Sequence, residues 1–445
     1  MKKEVLFTFV LGCFYMLPHV MYSQSYEFAT AYIGNMETTG SIIRRVDNTT
    51  AVVYYRDNSF GHGIVALIDL SGNVKKTALS PDCTLNDMRV TGSDVYFCGK
   101  GSQGAFIGHI NLNDYAVTGL RTATFYTVDP RYVTSLSRMV AYTYENMQKV
   151  VAVGELRFTN NSFPLHCHYC DTYPPYDCSN ACYRTVIVEA NFDHENFLII
   201  DDYVTTNNDN HFEFISEVIE TENYVALVGG FTDNPATVVH RCNKGGVIQS
   251  FRDDPFYWYS TPLEGYSYYR GCLTRGDTIA VASLSSYYDL SGMEQFSTSI
   301  RLFDLTNMTN TQAQRLPLNT KTDPIEMTYF AGMGRLVMLE DIFHPAMSSV
   351  ENTFVHLEPY SSVDYMADSW FESYWNKTFA SLCWLSNSHY VASGGQYWCR
   401  KALTPVAGTD CYKKQKISVT VLATMPSNVM DYHLYEPVSG LVAPV

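Results

Sequence analysis

Apolar and polar positions alternate with period two over most of this chain, in short runs closed by Gly, Asn, Asp and Ser. Successive side chains on a strand point to opposite faces, so the pattern predicts half-buried β-strands. The clearest case is residues 94–112, DVYFCGKGSQGAFIGHINL, where two runs rich in β-branched and aromatic residues flank a Gly/Ser/Gln turn. That is the pattern of a β-hairpin.

The hairpin recurs. Seven units can be laid along the chain, each with a first strand and a turn, a buried second strand that often closes on Gly, an alternating third strand, and a fourth strand after a short turn. The second strands end near Arg56, Gly99, Gly154, Gly229, Ser283, Glu340 and Gly394, at spacings of 43, 55, 75, 54, 57 and 54 residues. The one long spacing holds an insertion at 158–183, and removing about twenty of its residues restores the period, as expected where repeat insertions fall in loops. The fourth strands of units four, five and seven are expected at 247–251, 313–318 and 429–435. A spare strand at 26–33 competes with 429–435 for the role of clasping the two ends of the chain, and the pattern leaves that choice open.

Four short strands per unit, repeated, predict an all-β fold: a β-propeller of seven four-stranded blades, with six or eight blades as the alternatives. On VYFCGKGSQGAFIGHINLND, YVALVGGFTDNPATVVHRCNKGG and YVASGGQYW the chain resembles secreted bacterial β-propeller proteins built from degenerate repeats. The glycine pairs Gly229-Gly230 and Gly394-Gly395 make it partly kelch-like, while WD dipeptides and the sialidase Asp-box pattern are absent. The resemblance covers most of residues 24–445, read as a single domain with the Cys-rich insertion. It implies a fold and no activity.

Composition narrows the setting. The net charge of −15 makes a nucleic-acid partner, or a purely electrostatic hold on an anionic membrane, a poor expectation. Residues 1–23 read as a signal peptide: Lys2 and Lys3, then an apolar stretch at 5–17, then Ser23 at a cleavage point. That stretch is too short to span a bilayer and no later run is longer, so the expected protein is secreted or extracytoplasmic, at the periplasm or cell surface, and not membrane-spanning. The run Val10-Leu11-Gly12-Cys13 also reads as a lipoprotein signal in which Cys13 would carry a lipid anchor.

Eleven cysteines follow Cys13, and an oxidising compartment makes disulfides the expectation. Cys167, Cys170, Cys178 and Cys182 have the spacing C-x2-C-x7-C-x3-C, which in a cytosolic chain would suggest zinc; here it suggests two bridges of undetermined connectivity and no metal. Cys399 and Cys411 bracket the last long insertion as a third candidate pair. Cys83, Cys98, Cys242, Cys272 and Cys383 lie on or beside strands and read equally as buried apolar residues.

Loop lengths point to one face. Long joints fall between second and third strands, at 158–183, 285–298, 341–352 and 396–416, and the joints between units are moderately long too. In an up-and-down blade these open on the same face. That face is aromatic: Tyr257, Trp258, Tyr259, Tyr374, Trp375, Tyr397 and Trp398 are the candidate ligand-binding residues, suited to sugar rings or protein hot spots.

Gly99-x-Gly101-x-x-Gly104 matches the dinucleotide fingerprint only as a string, because a strand follows where a helix is required. His109 and His240 alternate with apolar residues and read as structural. No motif calls for a cofactor. The expected function is a binding or scaffold module for a glycan or an extracellular protein. The alternative is a hydrolase or lyase using loop-face carboxylates such as Asp253, Asp254, Glu264 and Glu372.

Overall fold

The computed structural model describes residues 25–33, 38–57, 62–69, 74–78, 83–101, 104–114, 121–124, 133–158, 182–193, 196–204, 213–231, 237–253, 265–288, 294–311, 314–315, 322–331, 334–344, 349–357, 368–370, 377–386, 389–398 and 414–424. Among them are seven antiparallel sheets in chain order. Strand β1 (Ser25–Ile33) leads. The first sheet is β2 (Thr38–Arg45), β3 (Thr50–Asp57), β4 (His62–Asp69) and β5 (Val74–Ala78). The second is β6 (Thr84–Thr91), β7 (Asp94–Gly101), β8 (Gly104–Asn111) and β9 (Arg121–Thr124). The third is β10 (Val133–Tyr144), β11 (Met147–Phe158), β12 (Cys182–Asp193) and β13 (Asn196–Val204). The fourth has three strands, β14 (Glu213–Glu220), β15 (Tyr224–Phe231) and β16 (Thr237–Asn243), followed by helix α1 (Val247–Asp253).

The fifth sheet is β17 (Gly265–Arg275), β18 (Thr278–Tyr288) and β19 (Glu294–Asp304), with two fragments, β20 (Thr309–Asn310) and β21 (Gln314–Arg315), both paired to β19. The sixth is β22 (Thr322–Phe330), β23 (Arg335–His344), β24 (Ser349–Leu357) and β25 (Asp368–Trp370). The seventh is β26 (Lys377–Ser386), β27 (His389–Trp398) and β28 (Lys414–Thr424), and its fourth strand is β1, paired antiparallel to β28. The N-terminal strand therefore completes the last sheet. The rival at 429–435 lies outside the described residues.

The first strand of each sheet lies against the first strand of the next: β2, β6, β10, β14, β17, β22, β26, and from β26 back to β2. The buried side chains explain this order. In the second strands both faces are covered, so the apolar run is nearly unbroken. Val52 and Tyr54 of β3 pack toward the second sheet, while Ala51, Val53 and Tyr55 pack toward Cys383 and Val391 of the seventh. The same two-sided burial joins sheet three to four through Val151, Val153, Val225 and Leu227, and four to five through Ala226, Val228, Ile279 and Val281. Each fully buried Val, Ile or Leu contributes about 1.5–3 kcal/mol.

One irregularity repeats in all seven sheets. The pairing of first with second strand slips by one residue, a β-bulge, at Gly40, Asn86, Ser137, Ser216, Tyr268, Ile325 and Ala380. The residue before each bulge pairs with Arg56, Gly99, Gly154, Gly229, Leu284, Glu340 and Gly394, the second-strand ends expected from the sequence with one displacement, from Ser283 to Leu284. The glycines have a steric reason. At Gly99, Gly154 and Gly229 a Cβ would overlap the carbonyl oxygen of Thr84, Ser135 and Phe214, two residues before each bulge. A bulge bends its strand, and here the bend brings the backbone onto its neighbour.

Several expectations are corrected. The fourth element of unit four is a helix, because Val247, Ile248 and Phe251 recur at helical spacing and bury one face. The buried Glu189 carboxylate accepts the Val247 and Ile248 amides at 2.9 and 3.1 Å and fixes the start of that helix. The fourth strand of unit five is two short fragments in place of one run at 313–318. The long joints expected at 285–298 and 341–352 are mostly strand: pairing continues to Tyr288 opposite Glu294 and to His344 opposite Ser349. The Gly99/Gly101/Gly104 string is a hairpin turn, as expected, with Gly101 opposite Gly104.

Candidate functional site

The bulge sets which side chain each first strand presents at the same level. The residues after it are Ser41, Asp87, Arg138, Glu217, Tyr269, Glu326 and Ser381, polar in every sheet but the fifth, where the core residue Tyr269 stands. Buried polar groups require partners, and these reach from sheet to sheet. Asp87 Oδ1 accepts from Arg44 at 2.7 Å and Arg89 at 2.9 Å, and Oδ2 accepts the Met139 amide of the third sheet at 3.0 Å. Glu326 accepts from Arg44 at 2.6 Å, from the Ser381 hydroxyl at 2.5 Å and from the Leu382 amide of the seventh sheet at 3.0 Å. Ser381 Oγ in turn accepts the Ile43 amide at 3.1 Å, and the Ser41 and Ser393 hydroxyls meet at 2.9 Å. The seventh and first sheets are joined by the same kind of bond as the others.

The charges are unevenly matched. Arg44 is held by two carboxylates, and despite burial Glu326 and Asp87 keep its proton tightly bound. Burial opposes the Asp87 charge, yet Arg89, Arg44 and Arg138 hold its carboxyl below the usual carboxylate range. At Glu217 burial wins and the pKa is raised, because Arg138 approaches only to 3.5 Å. Among the described residues no carboxylate lies at salt-bridge distance from Arg270: its Nε and Nη1 donate to the Ile325 and Tyr269 carbonyls at 2.9 and 2.8 Å. Burial, and then the neighbouring Arg138 charge, pull its pKa down to about 10.

These side chains line a cavity of about 340 Å³ whose walls come from all seven first strands, among them Arg44, Arg89, Arg138, Glu217, Arg270 and Glu326. The lining runs from the bulge level toward the ends of the first strands, through Arg45, Ala141, Glu220, Leu273 and Trp384. The cavity therefore lies toward the short first-to-second turns, opposite the face singled out by loop length. Near its rim Arg45 stacks on Trp384 at 3.6 Å, and Glu220 pairs with Lys244 at 2.7 Å. Five arginines line the space with Glu217, Glu220 and Glu326, and the Asp87 carboxylate adjoins them, so guanidinium groups outnumber carboxylates by one in an acidic protein.

Sequence reasoning missed this group. The available signal was a charged residue inside an otherwise apolar first strand, repeated at one register, and it is diluted by Ser41, Tyr269 and Ser381 at the same position. Of the residues expected from sequence, Tyr257, Trp258, Tyr259, Tyr374, Trp375, Cys167, Cys170, Cys178, Cys399 and Cys411 lie outside the described residues. Tyr397 and Trp398 do not begin an insertion: they continue β27, paired with Gln415 and Lys414 beyond the last pair with β26. Cys182 opens β12, opposite Phe158.

Cys83, Cys98, Cys242, Cys272 and Cys383 are free thiols, and burial pushes every one of them up, Cys83 and Cys383 to about 12. His109 is structural as expected, held by Asp94 at 2.8 Å and stacked on Phe192. His240 packs on Phe251. Asp253 ends α1 exposed, and Asp254, Glu264 and Glu372 lie outside the described residues. Among the described residues no helix is long and apolar enough to cross a membrane, and no group of three or more His, Cys, Asp or Glu side chains could hold a metal ion.

No protein-family model and no curated protein sequence matches the chain. Solved structures do. The WD40 domain of Neurospora crassa Pan2 is 8% identical, covering 91% of this chain and 98% of that one, with a TM-score of 0.45. The WD40 domain of Toxoplasma gondii coronin is 7% identical over 91% and 90% of the two chains, with a TM-score of 0.42. An oligogalacturonate lyase in complex with manganese is 10% identical over 91% and 99%, also at 0.42. The chain is all-β, and the structures it is similar to include WD40 and other propeller-like domains.

Proposed function

We propose that the chain is a seven-bladed β-propeller acting outside the cytoplasm as a binding or scaffold module for a glycan or an extracellular protein. The observation that carries the scaffold is the order of first strands, which returns from β26 to β2, together with β1 completing the seventh sheet. Each sheet is then a blade, and the first strands surround the axis. The state of the axial carboxylates supports binding over hydrolysis. Asp87 and Glu326 are occupied by guanidinium groups and main-chain amides, which leaves Glu217 without a second free carboxylate beside it for paired acid and base work.

In this reading residues 1–23 are a signal peptide, Cys13 is the residue that a lipoprotein route would acylate, and the insertion at 158–183 is stapled by Cys167, Cys170, Cys178 and Cys182. The ligand surface is the aromatic set on the long-joint face: Tyr257, Trp258, Tyr259, Tyr374, Trp375, Tyr397 and Trp398. The test is a glycan array and an extracellular-protein binding screen on the mature chain with Trp258→Ala, Trp375→Ala and Trp398→Ala. Loss of a bound ligand in at least one variant is expected. Unchanged binding in all three would refute the aromatic surface. Thiol counting on the unfolded mature protein tests the staples, and a count near eleven would refute them.

A further inference from the structure

We propose that the axial cavity is a binding site for a small carboxylate-bearing molecule, gripped by Arg89, Arg138 and Arg270. The proposal rests on the ring of first strands but not on the aromatic face.

Arg89 donates through Nη1 to Asp87 and the Met88 carbonyl, at 2.9 and 3.1 Å. Arg138 donates through Nη1 to the Ser137 carbonyl at 3.1 Å and turns Nε toward Glu217. Arg270 uses Nε and Nη1 on two carbonyls. The Nη2 of all three has no protein acceptor among the described residues, and all three side chains line the cavity. A guanidinium presents its donors as a planar fork that matches the two oxygens of a carboxylate, and one anchored through Nε and Nη1 is already oriented.

The ring position of the fifth sheet indicates the missing partner. At the level where sheets two, four and six present Asp87, Glu217 and Glu326, sheet five presents the fully buried Tyr269. Arg270, the next residue, is thus the guanidinium without an acid. Glu217 cannot serve it as well, because it is shared with Arg138 and its carboxyl is itself biased toward the proton by burial. A carboxylate entering from the short-turn face would sit where a fourth acid of the ring is lacking. It would take the kind of bonding that Asp87 already shows, two guanidiniums on one carboxylate. The volume of about 340 Å³ is at the lower end for small-molecule sites. An apolar wall from Ala141, Leu273 and Trp384 leaves room for a short carbon skeleton.

The experiment is isothermal titration of the mature chain with malonate and with acetate, against sodium chloride at matched ionic strength. Saturable binding of malonate is expected, weakened roughly tenfold or more in Arg270→Gln, as for loss of a hydrogen-bonded charge partner. Arg270→Lys weakens it too, since the fork is lost. Lys100→Gln, which removes an exposed cation from β7, leaves it unchanged. Should Arg270→Gln fail to fold, Arg89→Gln serves in its place, because Arg44 still holds Asp87 and Arg89 keeps 26% side-chain exposure. Absence of saturable binding for both carboxylates, or binding undiminished in the variant that folds, would overturn the site. Either result leaves the aromatic-face reading where it stood, and loss of glycan binding leaves this one.

Discussion

Replacing Asp87 with alanine strikes the ring at its most heavily used residue. The carboxylate is fully buried and accepts from Arg44, Arg89 and the amides of Met88 and Met139. Arg44 keeps Glu326 and Ser381, so it is not stranded. Arg89 can turn to water. The Met139 amide, in the next sheet and buried, loses this acceptor. Breaking such a buried charged group costs about 3–5 kcal/mol. Unfolding entropy of about 2.1 cal/mol/K per residue, over roughly 420 residues, makes about 0.9 kcal/mol per degree, so the midpoint should fall by about 3–6 °C. The assay is thermal unfolding followed by circular dichroism at neutral pH, with Asp94→Ala as the comparison, since Asp94 is half-exposed and holds His109 within one sheet. A fall of under about 1 °C for Asp87→Ala, with the native spectrum kept, would refute the claim that this residue ties the second and third sheets together.

Glu217→Gln should behave differently from Asp87→Asn. The Asp87 pKa is lowered, so its stabilisation is complete above the unfolded carboxylate range and is lost as pH falls through the lower folded value; the Glu217 pKa is raised, so its contribution is present below that range and lost as pH rises. At neutral pH, Asp87→Asn lowers the melting midpoint and Glu217→Gln leaves it level or raises it; equal falls in both would contradict the electrostatic assignment. Gly229→Ala should cost about 3 kcal/mol or more because the new Cβ meets the Phe214 carbonyl, whereas Gly92→Ala, in open space at φ +62°, should cost about 1–2 kcal/mol. Urea unfolding compares the two, and a larger cost at Gly92 would mean that the bulge does not require glycine. Cys83, Cys98, Cys242 and Cys383 should resist a thiol reagent at pH 8 in the folded protein and react on unfolding. Rapid labelling of any of them in the native state would contradict its burial.

The scaffold was legible because its signals are local. Two-sided burial writes an unbroken apolar run such as AVVYY or VVAVG, and the bulge writes Gly99, Gly154 and Gly229 at its partner position. The fourth strands were less legible, because they pack on one face and carry a weak pattern. VIQSF satisfied a strand template over five residues as well as a helical one, and the Glu189 carboxylate that fixes the start of the helix lies 58 residues away. The axial site was not legible at all. Its members are single residues from seven units, and Asp87, Arg138, Glu217 and Glu326 differ in charge although they share a register. What unites them is a one-residue slip in pairing, which period-two patterning does not record. The last sheet was half legible: the spare strand at 26–33 could be seen, but its partner β28 lies at the far end of the chain.

Completion of the seventh sheet by that strand is the premise on which the proposed propeller closure depends, and it places Ala31 directly opposite Val419. Directly opposed residues of an antiparallel pair hold their Cβ atoms about 4.5–5.5 Å apart. The decisive measurement is cross-linking of the Ala31→Cys, Val419→Cys double variant with a short bis-maleimide under native conditions, followed by peptide mapping. The account predicts one dominant cross-linked peptide pair joining residues 31 and 419, absent from either single variant. If the two positions are labelled separately and never joined, the ends of the chain do not meet in the seventh sheet.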